Sequence, residues 1–417
     1  MPQQDSVLVC NASAGELRVK IFRLNDFALL VQGTVEQIGT SAGTLEIQEL
    51  TSGRMIRRNF PDGLPSARDA FREVAGHLKH WQKRLRAAIH RVPFGHPADR
   101  RPVLLRPDVE EKLRSLPGFL SPWNEDSLAV AASAREVFCN VANIAVFDTA
   151  YYATVPLERM LYALPYADAK NYGFRRYGVH GIAHRNLSES AAEKMDRPIS
   201  RLRLISLIVD RDSSLTAIKF GVAVDTTGGI SPSGGLTGAS SCGNVEATVV
   251  TSLQAARSLG VGDTAALLQW KSGVGGLFGC SNDLLDVMAA CGHPVPGNQI
   301  FPMHNAQERK RAQLTLGIVV YELVTRMAGM IATMGGVDAI IFSGKVAERS
   351  AAFRSLVKER LKFFGVIKTL TLQADVELMM ARMACGLALR YGVASEKPAR
   401  QDRGGEDDRT EISAKIS

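Results

Sequence analysis

Several places in this chain carry side chains whose type and spacing could do chemistry. Asp148 ends the apolar run of VFDT (146–149), at the C-terminal end of a strand, where open α/β sheets set their functional groups. Taken alone, an Asp-Thr pair also reads as a turn or a helix cap. Arg91, in HRV (90–92), brings a planar guanidinium of the kind that grips carboxylate or phosphate in two parallel hydrogen bonds. It stands among many basic residues at 79–106, where a solvated surface arginine is the plain alternative. His180, in RRYGVHGIAHR (175–185), sits between glycines and reads either as a functional imidazole or as a structural histidine in a turn. With His184 it makes an H-x-x-x-H spacing that could hold zinc from one helix face. No Glu follows His180, and Gly178 and Gly181 weaken a helix there, which speaks against zinc. GVGGLFG (273–279) has the glycine spacing of a dinucleotide loop but follows a helical segment rather than a strand.

The elements that must position these residues read as alternating strands and helices. SVLVCN (6–11) is a buried strand entering a turn at 12–15, and LRVKIF (17–22) answers it as a half-exposed strand, so the pair reads as a hairpin. Helical periodicity runs over 66–89 through Ala70, Val74, Leu78, Trp81 and Leu85. Residues 135–150 read as a helix end followed by a buried strand. The theme returns with a strand at 201–210, a turn at 211–214 and a hairpin-like pair at 215–225. Helices at 244–259 and 307–334, a strand at 336–344 and a helix at 348–362 follow. The recurrence hints at an internal duplication.

Length and composition set the frame. A chain of 417 residues with 46% hydrophobic and 22% charged residues reads as a globular protein of two domains. MPQQDSVLV lacks a basic stretch ahead of a long apolar run, so no signal peptide is expected, and Glu322 and Arg326 interrupt the most apolar helix. Both points suggest a cytoplasmic protein with no membrane partner. The six cysteines show no metal-ligand spacing and read as reduced, mostly buried thiols. The net charge of +8 is dispersed, with no interleaved aromatic platform, so no nucleic-acid partner is expected; an attraction for phosphorylated or carboxylate ligands explains it equally well.

Segments spread in one order from residue 7 to about 392 make the chain resemble the acetate kinase family. They are VLVCN (7–11), HRV (90–92), VFDT with Pro156, LYALPY (161–166), RYGVHG with His184 and Arg185, VDTTGGISP (224–232), KSG (271–273), SND (281–283), GGVDAIIF (335–342) and ELMMAR (377–382). The resemblance implies an α/β protein of the two-domain actin/hexokinase-like (ribonuclease H-like) ATPase fold with a central cleft. The N-terminal domain would cover 1–149, with 375–394 packing back on it; the nucleotide-type domain would cover 150–374, and 395–417 would be a disordered tail. It also implies a homodimer, and a phosphoryl transfer between ATP and a short-chain carboxylate, acetate or propionate, through Mg²⁺.

Carried over residue by residue, Arg91 would hold the carboxylate or the moving phosphoryl group. Asp148 would orient the carboxyl substrate or act on the metal's side, and His180 would face the transferring group. Asn11 and Glu377 would sit near Mg²⁺, mostly through water. Trp123, Val179 and Pro232 would line the apolar end of the carboxylate pocket.

The positions matching the family's nucleotide contacts are Asp210, Arg211, Asp212, Asp283, Lys345 and Ala347, and here the sequence departs from the pattern. The family's His-Leu-Gly-Asn-Gly phosphate loop reads IVDRD (208–212), where Asp210 and Asp212 would repel phosphate. The family's arginine in Thr-Arg-Ser-Gly-Asp falls on Ser241, its Asp-Phe-Arg on Asp283-Leu284-Leu285, and its Gly-Ile-Gly-Glu-Asn on 345–349. Ala14 and Glu16 replace serines, and Arg18 replaces a lysine. The alternative reading is a catalytically impaired homologue with a binding or regulatory role.

Overall fold

Two sheets organise the molecule, and they repeat one plan. A computed structural model describes residues 5–13, 15–97, 99–298 and 300–391. The strands are β1 (Ser6–Ser13), β2 (Glu16–Arg23), β3 (Leu29–Glu36), β4 (Gly43–Glu49), β5 (Met55–Phe60), β6 (Leu85–Val92), β7 (Val103–Leu104) and β8 (Ala142–Phe147) in the first lobe. In the second lobe they are β9 (Arg203–Ile208), β10 (Ser214–Lys219), β11 (Val222–Thr226), β12 (Ala339–Ser343) and β13 (Lys368–Thr371). The first sheet runs β5-β4-β3-β2-β1-β6-β8-β7 and the second β11-β10-β9-β12-β13. Within the first, β3-β2-β1 pair antiparallel and β1-β6-β8 parallel; β11-β10-β9 and β9-β12-β13 do the same in the second. The duplicated theme of the sequence is therefore a duplicated topology.

Each sheet buries both faces under helices, which is why its central parallel strands read as unbroken apolar runs. On the first sheet, helices Ala67–Leu78 and Glu125–Val137 cover one face. The last helix, Val376–Tyr391, covers the other by packing Met380, Ala381 and Ala384 against Val7, Val9, Ile89 and Ile144. On the second, the 29-residue helix Ala306–Met334 sets Leu316, Val320, Leu323 and Met327 into the core beside Ile205, Leu207 and Phe342. That helix is long and apolar enough to cross a membrane by length and composition, yet one face of it is this core. Helix Gly181–Met195 joins the lobes: Leu187 and Ala191 pack on Leu204 and Ile341, while Ile182 packs with the first sheet's Ile144 and Val146. Burying each such leucine contributes about 1.5–3 kcal/mol.

The structure corrects several element limits. The helix expected over 66–89 ends at Leu78, a 3₁₀ turn takes Lys79–Arg84, and Leu85 opens β6. Trp81 is buried in that turn, its indole N–H donating to Glu49 at 3.1 Å. Because β6 lies between two parallel neighbours, its Ala87, Ala88 and Ile89 are all buried, and the strand shows no alternation to set it apart from helix. The helix expected at 244–259 spans Ala247–Arg257, with a second one, Val261–Trp270, after it. The segment 348–362 is divided at Ser350, whose hydroxyl accepts from the Phe353 amide at 3.1 Å to start Ala351–Leu361. Strands β3 to β5 extend the first sheet beyond anything the sequence suggested. Ala14 and the tail at 395–417 lie outside the described residues.

Candidate active site

The first half of the cleft is built where parallel strands end. Arg91 is the penultimate residue of β6, and Asp148 follows β8 directly. Their side chains meet twice, Arg91 Nε to Asp148 Oδ2 at 2.8 Å and Nη2 to the same oxygen at 2.6 Å. The other carboxylate oxygen of Asp148 accepts the Ile182 amide at 3.1 Å, at the start of helix Gly181–Met195, where an anion suits the helix dipole. Gly181 is required for this approach: a Cβ there would lie 2.0 Å from the Asp148 carbonyl oxygen. Asn11, on β1, receives Arg91 Nη1 on its side-chain oxygen at 3.4 Å and donates its amide to Glu377 Oε1 at 2.7 Å. Glu377 Oε2 in turn pairs with Lys20 Nζ at 3.0 Å, and Lys20 also meets Asp375 at 3.0 Å. Burial alone would lower the Lys20 ammonium, but Glu377 and Asp375 together hold it above its ordinary range. One polar chain thus runs from Lys20 through Glu377, Asn11 and Arg91 to Asp148.

His180 closes this half. It adopts φ 57°, ψ 26°, a left-handed conformation uncommon outside glycine, just before the first helical residue. Gly178, at φ 80°, makes the turn possible, since a Cβ there would strike the Tyr152 ring at 2.2 Å. His180 Nδ1 lies 2.9 Å from Ser214 Oγ, and His184 Nε2 lies 2.9 Å from the same hydroxyl. Burial lowers the His180 imidazole below its usual value, opposed by the Asp148 charge and reinforced by Arg91, with Asp212 and Asp210 as weaker opposing charges. His184 is pushed well below its usual value by burial and by His180 beside it. The H-x-x-x-H pair therefore engages a serine in this structure. Among the described residues no group of three His, Cys, Asp or Glu side chains gathers as metal ligands.

An apolar cluster is anchored by Phe94, three residues past Arg91, and by Tyr177, three residues before His180. Trp123 and Ile230 pack on the buried cluster Phe94, Leu120 and Tyr177. Val179 lies two residues past Tyr177 and gives its carbonyl to the Tyr152 hydroxyl. Pro232 lies two residues past Ile230, whose amide donates to the Tyr162 hydroxyl at 3.1 Å. Trp123 also meets Trp270 of the second lobe, their rings 6.4 Å apart.

The second half is a cavity of about 420 Å³ lined by Asp210, Arg211, Thr237, Asn282, Asp283 and Lys345 among others. Asp210 accepts from the Lys345 amide at 3.3 Å and from the Arg211 amide at 2.8 Å. Lys345 Nζ pairs with Asp283 Oδ2 at 2.6 Å, and Asp283 Oδ1 caps helix Leu284–Ala290 through the Leu285 amide at 2.9 Å. Two expected nucleotide residues are not on its lining: Ala347 is fully buried in the second core, and Asp212 is exposed beside it. Ser241 is buried in a loop whose backbone meets Gly238 at 3.0 Å. The GVGGLFG segment forms helix Gly273–Phe278 pressed on that loop; a Cβ on Gly273 would lie 2.3 Å from the Gly238 carbonyl oxygen. Gly273 and Gly276 thus allow close packing of backbone on backbone, while Gly279 makes room for the Arg311 guanidinium.

Three participants were not foreseen: Lys20, Ser206 and Ser214. Alternation along β2 puts Lys20 on one face with Arg18, a signal that existed but named no partner; nothing in the sequence marks the serines among their apolar neighbours.

Comparison with known proteins bears on all of this. A family model described as the Acetokinase family matches residues 6–381. The chain is 28% identical over 361 residues to an acetate kinase of Shouchella clausii (strain KSM-K16), covering 86% of this chain and 88% of that protein. Its fold is similar to a Porphyromonas gingivalis acetate kinase structure at TM-score 0.79 and 26% identity, covering 92% of this chain and 100% of that one. A propionate kinase structure from Francisella tularensis shares the fold at TM-score 0.79 and 22% identity, with 91% and 98% covered.

Proposed function

The chain belongs to the acetokinase family, and from that premise we propose that it transfers a phosphoryl group between ATP and acetate or propionate to give the acyl phosphate. The observation that carries the reading is the Arg91–Asp148 pair set beside His180, with the cavity of about 420 Å³ lined by Asp210, Arg211, Asp283 and Lys345. A carboxylate oxygen would form its bond to the γ-phosphorus as the bond to the ADP oxygen breaks. Such a transfer needs alignment and charge neutralisation more than covalent help.

Each residue then has a task. Arg91, held rigid by Asp148 and Asn11, presents its remaining N–H groups to the carboxylate or to the equatorial phosphoryl oxygens. Asp148 orients that guanidinium and, through the Ile182 amide, ties it to the helix that carries His180. His180 meets the developing charge with its ring. Trp123, Val179 and Pro232 exclude water from the alkyl end of the substrate. Asp210, Arg211, Asp283 and Lys345 handle the nucleotide, Arg211 and Lys345 supplying the cations on the cavity lining.

Asn11 and Glu377 offer the hard oxygen donors that suit Mg²⁺. Both Glu377 oxygens already have partners in Asn11 and Lys20, so these two side chains would hold the ion through water. When bound, the ion would neutralise phosphate charge. The same reading implies a cytoplasmic homodimer, with ATP or ADP and a small carboxylate as its ligands and neither nucleic acid nor membrane as partner.

Asp210 and Asp212 in the phosphate-facing loop, with Ser241 where the family has an arginine, favour a second reading of an impaired, regulatory homologue. Isothermal titration with ATP–Mg²⁺ separates the two. Micromolar binding with acetate-dependent ADP release is the expected result; no binding at millimolar nucleotide would leave only the second reading.

A further inference from the structure

The hydroxyl and imidazole groups behind His180 form a continuous hydrogen-bonded chain. Ser206 on β9 and Ser214 on β10 are adjacent-strand residues, both fully buried. His184, also fully buried, stands between them with Nδ1 at 2.8 Å from Ser206 Oγ and Nε2 at 2.9 Å from Ser214 Oγ. Ser214 Oγ also touches His180 Nδ1 at 2.9 Å. We infer that Ser206, His184 and Ser214 are positioning residues that fix His180 in the tautomer bearing its proton on Nε2, the ring edge turned from Ser214, so that it donates a hydrogen bond into the cleft.

The direction follows from counting protons. A hydroxyl has one proton to give, and a neutral imidazole has one donor and one acceptor nitrogen. If Ser206 donates to His184 Nδ1, His184 carries its proton on Nε2 and donates to Ser214, and Ser214 donates to His180 Nδ1. The His180 proton is then on Nε2, and every proton of the chain has an acceptor up to the cleft. Running the chain backwards puts the His180 proton on Nδ1, fills the Ser214 oxygen from His180, and makes His184 donate to Ser206. The Ser206 proton is then left in a fully buried place whose only side-chain hydrogen-bond partner among the described residues is His184. A desolvated hydroxyl without an acceptor disfavours that arrangement by about tenfold or more. Burial keeps both imidazoles neutral, as the counting requires. The charged groups facing His180 are Asp148, Arg91, Asp210 and Asp212, and Arg91 beside Asp148 offsets the nearest carboxylate.

The consequence for the reaction rests on the kinase reading above. An Nε2 donor stabilises the anionic oxygens of a phosphoryl group, whereas an Nε2 lone pair repels them. The tautomer itself, however, is a property of the protein without substrate.

The test is long-range ¹H–¹⁵N NMR of the histidine rings in ¹⁵N-labelled full-length protein, with His180 and His184 assigned by single substitution. Both rings are expected as the Nε2–H tautomer. Ser214→Ala is expected to shift His180 toward a mixture and to lower kcat about tenfold with the carboxylate KM unchanged. Ser206→Ala, one step further back, should loosen the His184 tautomer in the same spectra. A wild-type His180 protonated on Nδ1 would overturn the inference, whatever the variants do. Nε2–H rings in a protein with no ATP- and acetate-dependent turnover would leave the relay standing and remove the kinase reading instead.

Discussion

The two halves of the cleft are built on opposite principles. On the side proposed for the carboxylate the charges are sunk into the protein: the side chains of Asp148, Glu377 and Arg91 are 3%, 4% and 16% exposed, and each has partners on another element. On the side proposed for the nucleotide they stand nearer solvent, with Lys345 and Asp283 at 47% and 31%, paired to each other. Buried ion pairs tolerate no loss of one partner, because the survivor stays desolvated. Exposed pairs lose little when broken, because water replaces the partner. The first half is therefore fixed by its fold, whereas the second is free to diverge without unfolding the chain.

The sharpest way to break this comparison is Asp148→Ala. Turnover is expected to fall by about 10³-fold, as when one preorganised electrostatic partner is removed. Arg91, left desolvated, should take about 3–5 kcal/mol of stability with it. Acyl phosphate formation and urea unfolding measure the two. Near-normal turnover would show that this half is structural only.

A second test uses acid. His90 adjoins Arg91 on β6, is fully enclosed and is pushed down to about 4 from 6.5, chiefly by burial. The unfolded chain takes a proton at this residue below pH 6.5, while the folded chain declines it until about 4. Stability should therefore fall as pH drops through that window, by up to about 3 kcal/mol from this residue. Urea midpoints at pH 7 and pH 4.5 should show the loss, and His90→Gln should flatten it. An unchanged slope in the variant would remove His90 as the origin.

The smallest effect is expected across the cleft. Lys345→Met should change stability by less than about 1 kcal/mol, since its ion pair is largely solvated. It should weaken ATP binding while leaving the carboxylate KM unaltered, as steady-state titrations of each substrate would report. A loss of stability comparable to that of Asp148→Ala would erase the distinction between the halves.

How far the sequence revealed this arrangement follows from the same physics. The strand ending at 147 was readable because a buried apolar run stops abruptly at the charge of Asp148. The hairpin at β1–β2 and the long helix Ala306–Met334 were readable from alternation and period. Leu85 was misassigned because a strand buried on both faces has no period of its own. Family resemblance named Arg91, Asp148 and His180, yet it said nothing of Ser206 or Ser214, whose role depends on a contact between residues 22 and 30 apart from His184. Lys20 and Glu377, paired across most of the chain, are likewise invisible to any local pattern.

That last pairing bears on how the protein is made. Arg91 and Asp148 leave the ribosome long before Glu377 does; at roughly 5–20 residues per second the interval is about 10–50 s. Throughout it the first sheet lacks the helix Val376–Tyr391 that covers Val7, Val9, Ile89 and Ile144, and Asn11 lacks its carboxylate. The polar chain from Lys20 to Asp148 therefore completes itself only once that helix has emerged. A chain interrupted before that helix carries Arg91, Asp148 and His180 but leaves an apolar sheet face bare, a mark by which a chaperone or protease would tell it from the folded protein.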